Sequence, residues 1–104
     1  MSPLYQPVNA TGSDLKPGWF QTVKGTVYSA KKIGKTIYLN FDQDWRTDFT
    51  VQLTQKLERK YLKKELSPLS LAGQNIEVRG WVEWSGGPKI ILTHTDQMQR
   101  LAVR

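Results

Sequence analysis

Residues 38–51, YLNFDQDWRTDFTV, gather Asp42, Asp44 and Asp48 around Trp45 and Arg46. Clustered carboxylates can hold a divalent cation, and an adjacent arginine can neutralise charge on a phosphorane. The chemistry to test first is therefore metal-assisted phosphodiester hydrolysis. The spacing opposes it: Asp-x-Asp-x-x-x-Asp lacks both the glycine at position six and the closing glutamate of a calcium loop. Aspartates in turns commonly bond nearby backbone amides, so the stretch reads as a hairpin connection, with Trp45 packing and Arg46 ion-pairing. His94, the single histidine, has no second histidine to share a metal and no serine nucleophile in a recognisable triad. Ser85-Gly86-Gly87-Pro88 is a turn, not a phosphate-cradling loop. The reading is a non-enzyme with no catalytic residue, no metal and no cofactor.

Binding chemistry fits the composition better. The 104 residues carry 15 Lys and Arg against 9 Asp and Glu, a net charge of +6 and a pI of about 9.7. A small basic domain favours polyanions, nucleic acid before an anionic membrane. Four tryptophans and four tyrosines add faces on which nucleobases stack. The absence of cysteine excludes disulfides and thiolate metal sites. No apolar run reaches the roughly 18 residues of a membrane span, so no insertion is expected. The opening residues lack the basic-then-apolar pattern of a signal peptide. Localisation stays open: cytoplasmic if Met1 is native, extracytoplasmic if a signal peptide was removed.

The elements that must position these groups follow from hydrophobic period. Residues 1–18 hold three of the five prolines and read as a flexible arm, with the folded unit spanning residues 19–104. From Phe20 the period is two. Val23, Gly25 and Val27 take one face and Lys24, Thr26 and Tyr28 the other; Ile37, Leu39 and Phe41 face inward, then Phe49, Val51 and Leu53. Residues 31–35 read as a turn. Residues 55–66, QKLERKYLKKEL, form the one helical stretch, expected to end near Ser67-Pro68 because the residue before proline disfavours helix. On it Lys56, Arg59, Lys60, Lys63 and Lys64 share an arc of about 140°, read as a solvated face. Ile76, Val78, Gly80 and Val82 then alternate with Glu77, Arg79, Trp81 and Glu83. KIILTH follows the Gly-Gly turn, and the tail after it suits a strand extension or one helical turn. Three strands, a helix and two strands is the order of the OB-fold, a five-stranded Greek-key β-barrel with a helix between strands three and four. The class is all-β with one helix.

The pieces VKGTV, YLNFDQDWRTDFTV, IEVRGWVE and GGPKIILTHTDQM, within residues 21–99, resemble bacterial OB-fold modules of the nucleic-acid-binding superfamily. In particular they are similar to small OB modules that accompany, or stand in for, thermonuclease-like domains. The resemblance implies a binding module and points to nucleic acid. The arginine, aspartate and glutamate constellation of thermonuclease-like active sites has no counterpart in this chain.

OB modules bind on the outer face of strands two and three, between the loops joining strands one to two and four to five. Here that face offers Tyr38, Asn40, Thr50 and Gln52, with Lys31, Lys32 and Lys35 in the first loop and Lys89 after the second. Lys24, Tyr28, Arg79 and Trp81 point outward on neighbouring strands, Trp81 between Glu77 and Glu83. Lysines beside outward aromatics suit single-stranded nucleic acid, DNA or RNA, held with low sequence preference. The rival reading is a protein-interaction or structural OB module accompanying an enzyme, without nucleic-acid affinity.

Overall fold

A computed structural model describes residues 7–12, 14–43 and 49–101. In chain order the elements are β1 (Val8–Asn9), β2 (Phe20–Thr26), β3 (Ser29–Ile33), β4 (Thr36–Asn40), β5 (Thr50–Thr54), α1 (Gln55–Leu62), β6 (Asn75–Trp84), β7 (Pro88–Ile91) and β8 (Met98–Arg100). The domain is mostly β with one α-helix. Its strands form a mixed sheet in the order β1-β2-β6-β7-β5-β4-β3, with β8 alongside β6. β1–β2 and β5–β7 are parallel pairs; the other pairings are antiparallel.

Between β2 and β3 the chain turns a corner. Val27 N–H donates to Gln74 O at 2.9 Å, towards the β6 side, and Tyr28 N–H donates to Asn40 O at 2.8 Å, towards β4. Consecutive amides thus bond towards β6 and towards β4, and the buried side chains of these strands share a single core. Alternation decides what enters it. β4 buries Ile37 and Leu39, β5 buries Val51 and Leu53, and β6 buries Ile76, Val78 and Val82. Removing each such side chain from water stabilises the fold by about 1.5–3 kcal/mol. Phe41 and Phe49 join the core with ring centroids 5.2 Å apart.

Residues 8–10 of the N-terminal segment lie against β2. Val8 and Asn9 pair with Val23 and Lys24, Ala10 N–H donates to Lys24 O at 2.8 Å, and Ala10 is buried. Ala10 Cβ lies 2.8 Å from where a Cβ on Gly25 would sit. A bare glycine at that point is what lets the segment lie flat on β2.

The helix begins where expected and stops earlier. The Thr54 hydroxyl accepts from Leu57 N–H at 3.2 Å, satisfying one of the free amides of the first turn. Leu57 and Tyr61 are buried, whereas Leu62 is exposed. The α-helix ends at Leu62 because Glu65 adopts φ 61. Glu65 N–H donates to Leu62 O and Leu66 N–H to Tyr61 O, each at 3.0 Å, a Schellman-type end that satisfies the last carbonyls. Pro68 then opens a separate 3-10 turn. The tail takes both forms foreseen for it, a 3-10 turn at Thr95–Gln97 followed by β8.

Candidate nucleic-acid interface

Strand register assembles one outward face from four strands. Lys31 on β3 stands opposite Tyr38 on β4, Tyr38 opposite Gln52 on β5, and Gln52 opposite Ile91 on β7. The next row runs Ser29, Asn40, Thr50 and Lys89. Between these rows and the β6–β7 turn lies a concavity of about 440 Å³. Tyr38, Asn40, Thr50 and Gln52 form its floor, Lys31 and Ile33 one wall, and residues 85–89 the other.

Turn chemistry sets both walls. Gly34 has φ 62 at the first of two turn positions between the paired Ile33 and Thr36. Glycine there matches the twist of the flanking strands and keeps Lys31 and Ile33 in the strand. Opposite, Gly86 and Gly87 have φ 70 and 142, and Ser85 N–H donates to Gly87 O at 2.9 Å. Side chains are strained in such conformations, so that wall is bare backbone beside Pro88 and Lys89.

The floor is oriented by its own hydrogen bonds. The Thr50 hydroxyl donates to Asn40 Oδ1 at 3.1 Å, and Asn40 Nδ2 donates to Ser29 Oγ at 3.4 Å. An amide has two donor hydrogens and an acceptor with two lone pairs, so Asn40 keeps capacity for one further contact of each kind. Tyr38 supplies a half-buried aromatic face, and Lys31 and Lys89 supply cations on either side. The arrangement can hold a planar base and neutralise the phosphates beside it.

Of the residues expected at this site, Lys31, Tyr38, Asn40 and Lys89 converge here, together with Thr50 and Gln52. The structure gives Lys32 a different partner: its Nζ lies 3.1 Å from the Glu58 carboxylate on α1, and Glu58 is buried. Lys35 sits at the turn, its carbonyl accepting from Gln55 N–H at 2.9 Å. Tyr28 is exposed at the chain corner, outside the lining of the concavity. Lys24 borders a separate hollow of about 500 Å³ with Asn9, Thr11, Thr26 and Asn75. Arg79 is turned to the Asp96 carbonyl, which accepts from Nε at 3.3 Å and Nη2 at 3.0 Å. Trp81 packs edge-to-face on Phe20 with centroids 5.6 Å apart. Ile33 and the Gly86-Gly87 wall were missed as site residues, although Ile33 shares the outward parity of Lys31.

The Asp-rich connection is described only at its start, where Asp42 Oδ1 accepts from Gln43 N–H at 2.6 Å. Asp44, Trp45, Arg46 and Asp48 lie outside the described residues. His94 Nδ1 contacts the Thr93 hydroxyl at 2.9 Å, and its backbone is held by Gln97, whose Oε1 accepts from His94 N–H at 2.8 Å. No described helix is long and apolar enough to cross a membrane.

No family model matches the chain, and no curated protein matches it at a significant level. Solved structures do match. A candidate aspartyl-tRNA synthetase of Leishmania major Friedlin aligns over 96% of this chain and 21% of its own, with TM-score 0.60 and 8% identity. The asparaginyl-tRNA synthetase of Pyrococcus horikoshii aligns over 82% of this chain and 20% of its own, with TM-score 0.54 and 20% identity. An OBody, AM1L10, bound to hen egg-white lysozyme aligns over 82% of this chain and 81% of its own, with TM-score 0.54 and 24% identity. At these identities the likeness shows the fold alone, a domain of the OB class, and the chain spans about one-fifth of the synthetases it matches.

Proposed function

We propose that the protein is a non-catalytic OB module that holds single-stranded nucleic acid, with little sequence preference, on the outer face of β4 and β5. In this reading β2 and β3 are one bent first strand of a five-stranded Greek-key barrel, and α1 lies between strands three and four. The observation that carries the proposal is the convergence of Lys31, Tyr38, Asn40, Thr50, Gln52 and Lys89, drawn from four strands, around one open concavity. Stacking on Tyr38 contributes about 1–3 kcal/mol per base, and the two lysines add salt-sensitive phosphate contacts. Stacking on Tyr38 accepts any base, because every base has a π-face, which fits low specificity. The two matched synthetases carry a nucleic-acid substrate in their names, which is compatible with a module of this kind.

A second reading has its own observation. The matched OBody is bound to a protein, lysozyme, so an OB domain can serve as a protein-interaction module. One titration separates the two. Anisotropy of labelled single strands of about 20 nucleotides, DNA and then RNA, is expected to report binding that weakens steeply with salt, as phosphate contacts require. Tyr38→Ala should weaken it by about 5- to 150-fold, the stacking energy expressed as affinity. Absence of binding to both nucleic acids at low salt sinks the first reading in favour of the second.

A further inference from the structure

Lys56, Arg59, Lys60, Lys63 and Lys64 are all exposed. Glu58 is the acid of the first helical turn, and it is buried and already engaged by Lys32. That contact is the one ion pair among the described residues, so none of the five helical cations has an acidic partner there. Their spacing is unfavourable by itself. Lys56–Lys60 and Arg59–Lys63 are like charges at i,i+4, and Lys56–Arg59 and Lys60–Lys63 are like charges at i,i+3. Lys56 also lies in the first turn, where the helix dipole disfavours a cation. Arg59 and Lys60, in the last turn, are favoured by the same dipole, but the like-charge spacing is a cost that a polyanion would relieve.

The start of the helix also adjoins one wall of the groove. Gln55 N–H donates to Lys35 O at 2.9 Å, so α1 starts against the turn whose preceding strand carries Lys31 and Ile33, one wall of the concavity. From Lys56 to Leu62, the last residue of α1, the chain advances about 9 Å at the helical rise. Lys35 in that turn and Lys56 in the first turn of α1 flank this contact.

Resting on the nucleic-acid reading of the groove, we propose that this flank of α1 is a second phosphate track. A single strand that fills the groove leaves it at the β3–β4 turn and runs on along the helix, its backbone neutralised by Lys56, Arg59 and Lys60. The groove supplies stacking and the helix supplies charge, so the helix contributes only to strands longer than the groove.

The test uses the full chain and labelled oligo-dT of about 5 and about 20 nucleotides, within and beyond the range of OB site sizes. Lys56→Gln/Lys60→Gln is compared with Lys16→Gln/Arg100→Gln, which removes equal charge away from both surfaces. On the longer strand the helix variant is expected to lose about 25-fold in affinity near 0.1 M salt, and its log–log salt slope to fall by about 1.4, since each single-strand phosphate contact contributes about 0.7. The shorter strand should bind it within twofold of wild type, and the control variant should keep the wild-type slope. A wild-type slope in the helix variant overturns the track while leaving the groove reading intact, provided Tyr38→Ala still weakens both strands. Equal loss on both lengths, or equal loss in the control, also overturns the track, because the effect is then diffuse charge. Failure of wild type to bind either length removes the groove reading and the track with it.

Discussion

Two adjacent lysines should behave as different kinds of residue. Lys31 opens on the concavity, whereas Lys32 reaches 3.1 Å to a Glu58 carboxylate whose side chain is 8% exposed, its own side chain being 31% exposed. Breaking a fully buried pair costs about 3–5 kcal/mol, because one charge is stranded, and a surface pair is worth about 0–1 kcal/mol. With one partner buried and the other nearly a third in solvent, screening brings the expected cost of Lys32→Met to about 1–2 kcal/mol. Glu58→Leu should cost less, because the lysine it strands can turn to water while leucine fills the buried site. The double variant should recover most of the loss, giving a coupling energy of about 1 kcal/mol. Urea unfolding reads this as a lower midpoint at constant slope for Lys32→Met, and a thermal scan as a Tm lower by about 5–10 °C. Lys31→Ala should leave both midpoints in place and weaken binding of a single strand of about 20 nucleotides about fivefold near 0.1 M salt, the effect of one phosphate contact. Additive single variants, or a Lys32→Met protein as stable as wild type with weakened binding, would refute this division of labour.

Two further outcomes follow from the packing. A Cβ at Gly80 would lie 2.8 Å from Ile90 Cγ2 and 3.2 Å from Gln97 Nε2, so Gly80→Ala should destabilise by about 1–3 kcal/mol through overpacking in chemical denaturation. Burial first, and then the Asp96 charge, raise the Tyr61 phenol above its ordinary 10.0, and its hydroxyl donates to His94 O at 3.1 Å; the unfolded chain therefore releases this proton first, stability should be full below about pH 10 and fall as pH rises beyond it, and Tyr61→Phe should flatten that alkaline decline.

The strands and their inward faces were legible in the linear chain, because a half-buried strand must alternate and Ile37, Leu39, Val51 and Leu53 do so without interruption. The same parity set Tyr38, Asn40, Thr50 and Gln52 outward, and the element order pointed to the OB class whose fold the solved structures share. What the sequence could not supply were contacts between distant segments. Lys32 and Glu58 are 26 residues apart, and nothing near either one marks the lysine as spoken for. Arg79 read as an outward cation until Asp96, 17 residues on, offered its carbonyl. The helix end was misjudged because Glu65 takes a left-handed conformation usually reserved for glycine, held there by hydrogen bonds that only the folded turn provides. Residues 8–10 read as arm for the same reason: their strand exists only because β2 offers an edge to pair with. Local period is written in the chain, whereas the pairing of Thr50 with Lys89 across a parallel ladder, which brings one wall of the groove to its floor, is a product of how the sheet wraps its core.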